Sequence, residues 1–342
     1  MAKGYTISRV INGCWQLSEG HSLKGVLDSR DIMRAFHTLA EKGFTTFDCA
    51  DIYTGAEEFI GAFIAELKNG SGVSPDDIQI HTKFVPDLGI LGAIDYGYTE
   101  KIIDRSLKRT RRETLDLVQF HWWDYNTPGC IETAGYLCRL KDKGKIRHIG
   151  ATNFDTEHLI QMIDAGIPVV SIQSQYSVFD RRPEKKLLPY CKGAHIPLIC
   201  YGTLSGGFLS ERWMGQAYTE PETRSQVKYA QVIEDTLGWG GYQELLRLLD
   251  RVAKAHNVNI ANVASKYILS RQGIGAVIIG VRNSRHVESN ARIFDFEFDS
   301  SEIAEIEAFL SRCGNVGGEP FELERTDGSK YKGIMKMNLN EE

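Results

Sequence analysis

The sequence predicts an α/β fold, a (β/α)8 TIM barrel that forms a single domain. Short runs of apolar and β-branched residues alternate with longer segments whose apolar positions recur at helical spacing, which predicts a parallel sheet covered by helices. Eight such strands are found, and this number favours closure into a barrel. Three of the strands end in a polar residue, at the face where such a barrel builds its active site.

The predicted strands are short and bounded by turn residues. Residues 5–16 contain a small β element and a first strand, with Gly13 and Trp15 at its end. The strand at 44–50 mixes aromatic and small residues with two threonines, and Asp48 lies near its end. The remaining strands are predicted at 78–84, 115–122, 146–152, 169–175, 197–201 and 275–280.

Helices are predicted between the strands. Segment 29–42 alternates apolar and charged positions, and Gly43 stops it. The other helices are predicted at 56–69, 99–110, 131–143, 156–165, 184–194, 241–256, 260–271, 284–293 and 300–312.

Two segments do not follow this alternation. The loop at 202–240 is too long for a plain connector, and a lid over the site and a mobile surface excursion are equal alternatives for it. The polar tail from Cys313 shows no clear periodicity. We expect all of 1–342 to form one domain that includes this loop and this tail.

Composition and charge narrow the class of protein. A hydrophobic content of 42% is enough for one large core, and a net charge of -5 without a dense Lys/Arg block argues against nucleic acid or an anionic membrane as partner. No apolar run reaches the length of a membrane span and no signal peptide opens the chain, so we expect a cytoplasmic location. The seven cysteines show no CxxC or zinc spacing, which predicts reduced thiols and no metal site. The sequence carries no signal for oligomeric state.

Four polar residues near strand ends are the candidate catalytic group. Asp48, Lys83 and His121 end predicted strands, and Tyr53 lies in the loop five residues after Asp48. Singly they have structural explanations, such as an ion-pair partner for Asp48 or a core histidine for His121. Together, in this order, they resemble the catalytic tetrad of the aldo-keto reductase superfamily. The resemblance covers nearly the whole chain and includes the strand-end motifs at 13–15, 150–154, 173–177, 201–206, 280–283 and 289–290.

The chemistry of carbonyl reduction fits these four residue types. Hydride transfer to a carbonyl needs an acid that protonates the developing alkoxide, and a free tyrosine with a pKa of about 10 is a weak acid at neutral pH. A nearby ammonium lowers that pKa, and a carboxylate keeps the ammonium charged and oriented. Tyr53, Lys83 and Asp48 suit these roles, and His121 suits donation of a hydrogen bond to the carbonyl oxygen.

The cofactor prediction begins from an absence. No GxGxxG follows any strand, so a dinucleotide must be bound by barrel loops. The resemblance implies that Thr152, Asn153 and Gln173 hold the nicotinamide carboxamide and that Tyr201 stacks on the ring. It also implies that Leu204, Ser205 and Gly206 approach the pyrophosphate through the backbone and that Arg282, with His286 one helical turn further on, meets the adenosine 2′-phosphate. The other cofactor-binding residues implied by the resemblance are Gly202, Gly280, Ser289 and Asn290.

Two features depart from the usual family pattern. Many members carry a lysine at the position of Gly280, which leaves Arg282 as the main cation for the 2′-phosphate; this Gly-X-Arg pattern is closer to bacterial and plant branches. The expected substrate side is unusually aromatic. An apolar pocket and ordinary core packing are both open for its four aromatic residues, Trp15, Trp122, Trp123 and Tyr125.

The resulting hypothesis is an oxidoreductase that reversibly reduces a small-molecule aldehyde or ketone with NADPH, without metal or flavin, with NADH as the alternative cofactor. A cofactor-binding regulatory or scaffold subunit of similar sequence is the alternative, although such a subunit has no need of Asp48, Lys83 and His121 together. An unrelated metal-dependent barrel hydrolase lacks support because no histidines and carboxylates show metal-ligand spacing.

Overall fold

A closed barrel of eight parallel strands organises the chain, and this confirms the predicted (β/α)8 architecture. The computed structural model describes residues 1–2, 4–18, 27–68, 72–335 and 337–340. Strand order follows the chain, and the last strand pairs in parallel with the first. The strands are β1 (Val10–Gly13), β2 (Thr46–Asp48), β3 (Gln79–Phe84), β4 (Leu115–Phe120), β5 (Ile146–Thr152), β6 (Val169–Gln175), β7 (Leu198–Tyr201) and β8 (Ile274–Gly280).

Helices surround the barrel at nearly the positions that the apolar periodicity predicts. The predicted end of the second helix at residue 69 lies outside the described residues. Within the described ranges, we find no helix with both the length and the hydropathy needed to cross a membrane. The helices are α1 (Ser29–Glu41), α2 (Ala56–Leu67), α3 (Tyr96–Thr110), α4 (Cys130–Asp142), α5 (Thr156–Asp164), α6 (Leu187–Ala194), α7 (Arg224–Thr236), α8 (Gly238–Ala255), α9 (Ile260–Leu269), α10 (Val287–Ala291), α11 (Ser300–Leu310) and α12 (Pro320–Leu323).

Side-chain alternation along each strand separates the helix-facing core from the barrel interior. In β2, Phe47 points outwards, and its ring centroid lies 4.7 Å from that of Phe36 and 5.3 Å from that of Phe63. The next residue, Asp48, therefore faces the interior. Parallel pairing then sets Asp48 opposite His81 of β3 and Lys83 of β3 opposite Gln119 of β4. The ends of β2, β3 and β4 therefore place polar side chains next to one another inside the barrel.

The segment at 202–240 differs from the predicted long loop. Thr223 accepts a hydrogen bond from the backbone of the first turn and caps α7, which occupies much of the segment. The helix buries a narrow apolar stripe that includes Tyr229, Val232 and Ile233. Most of its other residues are polar, so the stripe is too narrow to give a clear sequence signal.

The polar tail is folded onto the carboxyl-terminal face of the barrel. A carboxylate oxygen of Glu319 accepts hydrogen bonds from the backbone N–H and the hydroxyl of Thr156, at 3.0 and 2.6 Å. At the far end, the backbone N–H of Asn340 donates to Asp87 at 2.8 Å. Between these two anchors the tail passes over the strand ends.

Two helical glycines give a test of how tightly the outer layer is packed. A Cβ at Gly61 in α2 would clash with the backbone oxygen of Arg109 in α3, whereas a Cβ at Gly135 in α4 would meet nothing within 4 Å. We expect Gly61→Ala to destabilise the protein by about 1–3 kcal/mol through overpacking. Gly135→Ala should stabilise it by about 1 kcal/mol, since alanine favours a helix. Urea unfolding of both variants measures the difference, and equal effects would contradict the close approach of α2 and α3.

Candidate active site

A cavity of about 450 Å³ opens at the carboxyl ends of the strands, and all four candidate catalytic residues line it. Asp48 comes from the end of β2, Lys83 from β3 and His121 from the residue after β4. Tyr53 lies in the turn that leads into α2. The structure thus brings together the four side chains that the strand-end pattern singled out.

Asp48 and Lys83 form a buried ion pair. The Lys83 ammonium lies 2.7 Å from Asp48 Oδ1 and donates a second hydrogen bond, also of 2.7 Å, to the backbone oxygen of Cys49. Burial lowers the pKa of Lys83, but the Asp48 carboxylate, together with Tyr53 and Cys49, raises it by more in total, so the ammonium stays charged.

Two amide side chains complete the environment of Asp48. Gln119 and Gln173 donate to Asp48 Oδ2 at 2.9 and 2.7 Å, and Gln173 also donates to the Gln119 oxygen at 2.9 Å. Sequence reasoning missed Gln119, although it stands two residues before His121 and therefore on the same face of β4. With Lys83, these donors occupy both carboxylate oxygens, which offsets the cost of burying the charge.

The Tyr53 phenol is held in its protonated form. Burial raises the pKa of Tyr53 above its usual value, while Lys83 acts in the opposite direction. The Lys83 ammonium lies 4.8 Å from the Tyr53 ring centroid, and the ring of Trp15 packs at 4.8 Å on the tyrosine. The lysine therefore lowers the pKa of Tyr53, but burial raises it by more, so Tyr53 carries a proton at neutral pH.

His121 is neutral, and its hydrogen bonds define its tautomer. Burial, followed by the charge of Arg325, lowers the pKa of His121 to about 3. Its Nδ1 lies 2.9 Å from the backbone oxygen of Thr152, which can only accept, so Nδ1 carries the proton. Its Nε2 accepts from Nη2 of Arg325 at 2.8 Å. Donation from His121 to a carbonyl therefore remains a prediction, and it requires a proton on Nε2.

Arg325 is a site residue that sequence reasoning missed. It lies just after α12 in the tail, where no periodicity marks a buried position. Its side chain is only 8% exposed. A lone arginine in a polar segment reads as a surface residue, and only the path of the tail over the barrel brings it to His121.

Most of the predicted cofactor residues also line the cavity. Asn153 adopts a left-handed backbone conformation with φ of 54°, and its Oδ1 accepts from the Tyr201 hydroxyl at 2.8 Å. The buried hydroxyl of Thr203 lines the cavity and has no hydrogen-bond partner among the described residues. Of the predicted set, the cavity is lined by Thr152, Asn153, Gln173, Tyr201, Gly202, Leu204, Ser205, Gly206, Gly280 and Arg282.

The adenosine end of the predicted site is more exposed. Arg282 is exposed at the rim of the cavity, whereas His286, Ser289 and Asn290 are not among its lining residues. A Cβ at Gly280 would clash with the side chain of Gln16. Gln16 thus fills the space in which a lysine at position 280 would begin, and this explains how the chain accommodates its departure from the usual pattern.

Two of the four aromatic residues expected on the substrate side line the cavity. Trp15 and Trp123 line the cavity, and the Trp123 ring meets His121 edge to face at 4.5 Å. Trp122 is fully buried in the outer core against Phe120, because alternation beyond β4 points it away from the interior. Tyr125 stacks on neighbouring rings and also lies outside the cavity lining. Trp122 and Tyr125 thus pack against other rings outside the cavity lining.

Two further segments line the cavity that the strand-end pattern did not indicate. One is the start of α7, where Ser225 accepts a hydrogen bond of 3.2 Å from the Trp15 indole. The other is the tail, which contributes Glu324 and three apolar residues. Together they add Glu222, Thr223, Arg224, Ser225, Gln226, Lys228, Tyr229, Glu324, Ile334, Met335 and Leu339.

Comparison with known proteins agrees with this geometry. The sequence profile described as the Aldo/keto reductase family matches residues 9–311. The chain is 28% identical over 315 residues to the aldo-keto reductase YhdN of Bacillus subtilis (strain 168), covering 90% of this chain and 91% of that protein. It is 30% identical over 290 residues to the glyoxal reductase of the same organism, covering 83% of this chain and 84% of that protein.

A solved structure shares the fold. The glycerol dehydrogenase AKR11B4 from Gluconobacter oxydans superposes with a TM-score of 0.75 at 25% identity, over 90% of this chain and 92% of that one. The family match and the barrel agree over most of the chain, so this protein belongs to the aldo/keto reductase family and is an NAD(P)H-dependent oxidoreductase.

Proposed function

We propose that this protein reversibly reduces an aldehyde or ketone to the alcohol with NADPH, and that Tyr53 supplies the proton. The observation that carries the proposal is the placement of protonated Tyr53 above the buried Asp48–Lys83 pair in one cavity. Similarity to proteins named glyoxal reductase and glycerol dehydrogenase supports a small carbonyl or alcohol as the reactant.

Each residue around the reacting carbonyl has a separate role in the proposed reduction. Bound NADPH would supply the hydride to the carbonyl carbon. Tyr53 presents its proton to the carbonyl oxygen as charge develops there, and the Lys83 ammonium stabilises the phenolate that remains. Asp48 holds Lys83 charged and fixed in position. Trp15 and Trp123 shield the reacting atoms from water, which strengthens these electrostatic effects.

The residues around the cavity fit a dinucleotide. Tyr201 and Asn153 stand side by side for the nicotinamide, and Gln173, whose amide N–H already bonds Asp48, offers its oxygen. The buried Thr203 hydroxyl without a partner among the described residues is an available donor or acceptor in the glycine-containing segment. Close backbone approach to phosphate suits such a segment. We assign Arg282, exposed at the rim, to the 2′-phosphate of NADPH.

A cofactor-binding regulatory or scaffold subunit is the other candidate function. Burying an ion pair costs desolvation energy that binding alone does not require, and this favours the enzyme. Turnover of a panel of aldehydes with NADPH and NADH separates the two functions: cofactor binding without turnover of any aldehyde would favour the subunit.

The first prediction concerns the proton donor. Tyr53→Phe should keep the fold and cofactor binding but lower kcat for reduction by about two to four orders of magnitude, the usual effect of a placed general acid. Tyr218→Phe makes the same change at a side chain that is 51% exposed and outside the cavity, and should leave kcat unchanged. Near-normal turnover by the Tyr53 variant would exclude this residue as the donor.

A second prediction tests whether Tyr53 and Lys83 act as one unit. Lys83→Met alone should also be severely impaired, because the phenolate loses its stabilising charge. The double variant with Tyr53→Phe should be little worse than either single one, since each change already disables the unit. Single-turnover reduction rates of the four proteins measure the coupling, and strictly additive losses would show that the two side chains act independently.

A third prediction concerns cofactor preference. Losing a hydrogen bond between charged groups costs about 1.5–3 kcal/mol, so Arg282→Ala should weaken NADPH binding roughly 10- to 100-fold and leave NADH nearly unchanged. Arg285→Ala is the matched control, because Arg285 is also exposed but does not line the cavity. Dissociation constants by fluorescence titration decide the matter: equal losses for both cofactors, or none, would contradict the assignment.

A further inference from the structure

The guanidinium of Arg325 is not part of the cavity lining but lies directly behind it, against the lining residues His121 and Trp123. Its Nη2 donates to His121 Nε2 at 2.8 Å, and its Nη1 donates to the backbone oxygen of Phe321 at 3.1 Å. Because His121 lines the cavity, a substrate that contacts its Nε2 would lie next to the Arg325 guanidinium. The tail therefore places a cation one hydrogen bond away from a residue that lines the cavity.

Aromatic rings hold this cation in place. The Arg325 guanidinium carbon lies 4.2 Å from the Phe321 ring centroid and 5.2 Å from that of Trp123. Such cation–π contacts orient the planar guanidinium without neutralising it. Arginine keeps its proton even where burial lowers its pKa, as it does for Arg325, so the positive charge persists beside His121.

The surrounding charges leave one positive charge in excess. Lys228 and Arg325 share a single carboxylate, that of Glu324, and the three side chains are only 14%, 8% and 2% exposed. The neighbouring Arg182 is already paired with Asp180 at 2.7 Å. A buried cation without its own carboxylate is costly unless an anion arrives to pair with it.

Donors without acceptors lie at the same place. Nε of Arg325 and the indole N–H of Trp123 are buried, and neither has a hydrogen-bond partner among the described residues. Trp123 lines the cavity and is 6% exposed. A carboxylate has four lone-pair sites and suits a guanidinium together with a further N–H donor.

We propose that Arg325 makes this enzyme selective for carbonyl substrates that carry a carboxylate on the carbonyl carbon, that is, for 2-oxo acids. This inference rests on the proposed carbonyl reduction. The carbonyl carbon accepts the hydride that NADPH provides, the carbon–oxygen π pair moves to the oxygen, and Tyr53 protonates that oxygen. The products are a 2-hydroxy acid and NADP⁺, while the carboxylate stays bound to Arg325 and is unchanged.

The test compares one ketone in two charge states. Phenylglyoxylate and its methyl ester share the same carbonyl and the same phenyl ring, and differ in the negative charge. Arg325→Met removes the cation but keeps an unbranched apolar chain between the rings of Trp123 and Phe321. We expect the ratio of kcat/KM for phenylglyoxylate to kcat/KM for the ester to fall roughly 10- to 100-fold, because loss of the bond to His121 acts on both substrates and loss of the charge acts on one. Arg325→Lys, which keeps the charge without the planar fork, should lie between wild type and the Met variant.

Controls separate charge recognition from folding. Lys332→Met removes another tail cation, one that is 35% exposed and pairs with Asp327, whereas Arg325 is 8% exposed and bonds to His121; the Lys332 variant should leave both substrates unaffected. Thermal unfolding of each variant reports whether the tail still packs. If the Met variant fails to fold, the Lys variant decides, because its selective loss on phenylglyoxylate alone supports the proposal.

Other outcomes overturn the proposal in distinguishable ways. An equal loss on both substrates would mean that Arg325 acts on the carbonyl oxygen or on the fold. A gain on both would mean that the tail obstructs the site. Turnover of neutral aldehydes with no response to the carboxylate would remove the inference and leave the proposed function intact.

A binding measurement keeps the two proposals separate. If wild type reduces no carbonyl with either cofactor, the proposed function fails, and calorimetric titration of phenylglyoxylate into wild type and Arg325→Met then decides the role of Arg325. Binding of the carboxylate that weakens 10-fold or more in the Met variant, with no such change for the ester, supports the anion site. Equal affinities for the two proteins overturn it.

Discussion

The ion pair between Lys83 and Asp48 is the interaction on which the rest of the site depends. Asp48 of β2 accepts from Lys83 of β3, from Gln119 of β4 and from Gln173 of β6. One carboxylate therefore ties together the ends of four strands, two of which are distant from β2 around the barrel. Removing one partner of such a buried pair costs about 3–5 kcal/mol, because the other charge is left unpaired. The hydrogen bonds that hold these strand ends together are thus the same ones that fix the position of Lys83.

Burial around this pair separates charged groups from neutral ones. It raises the pKa of Tyr53 and lowers the pKa of His121 to about 3, so both are neutral at physiological pH. Lys83 remains charged because Asp48, together with Tyr53 and Cys49, raises its pKa by more than burial lowers it. A protonated phenol beside a charged ammonium is the form that the proposed reduction requires, since in that proposal the phenol gives up a proton as the alkoxide develops.

The strand-end residues could be predicted because two rules of parallel sheets locate them. Period-2 alternation fixes which residues face the interior, and parallel strands end on one face, so Asp48, Lys83 and His121 had to converge. The same alternation, carried along β4 and past its end, places Gln119 on the interior face with His121 and turns Trp122 to the outer face. Applied to every residue of this stretch, it would have excluded Trp122 from the predicted pocket and added Gln119 to the predicted site. Helix α7 was not predicted because its apolar stripe, formed by Tyr229, Val232 and Ile233, is too narrow to produce a clear helical periodicity. In each of these cases the signal was present in the sequence but weak.

The tail is different, because nothing local determines its path. Its contacts join residues more than 150 positions apart, such as Glu319 with Thr156 and Asn340 with Asp87, and each is a polar bond that any solvated segment of this composition offers equally to water. Only the completed barrel presents those partners together. The end of the cavity that holds Asp48, Lys83 and His121 is consequently encoded in strands with a clear pattern, while the end covered by the tail is encoded in a segment without periodicity. A change of tail sequence can therefore alter which group meets Arg325 or His121 without disturbing the ion pair beneath Tyr53.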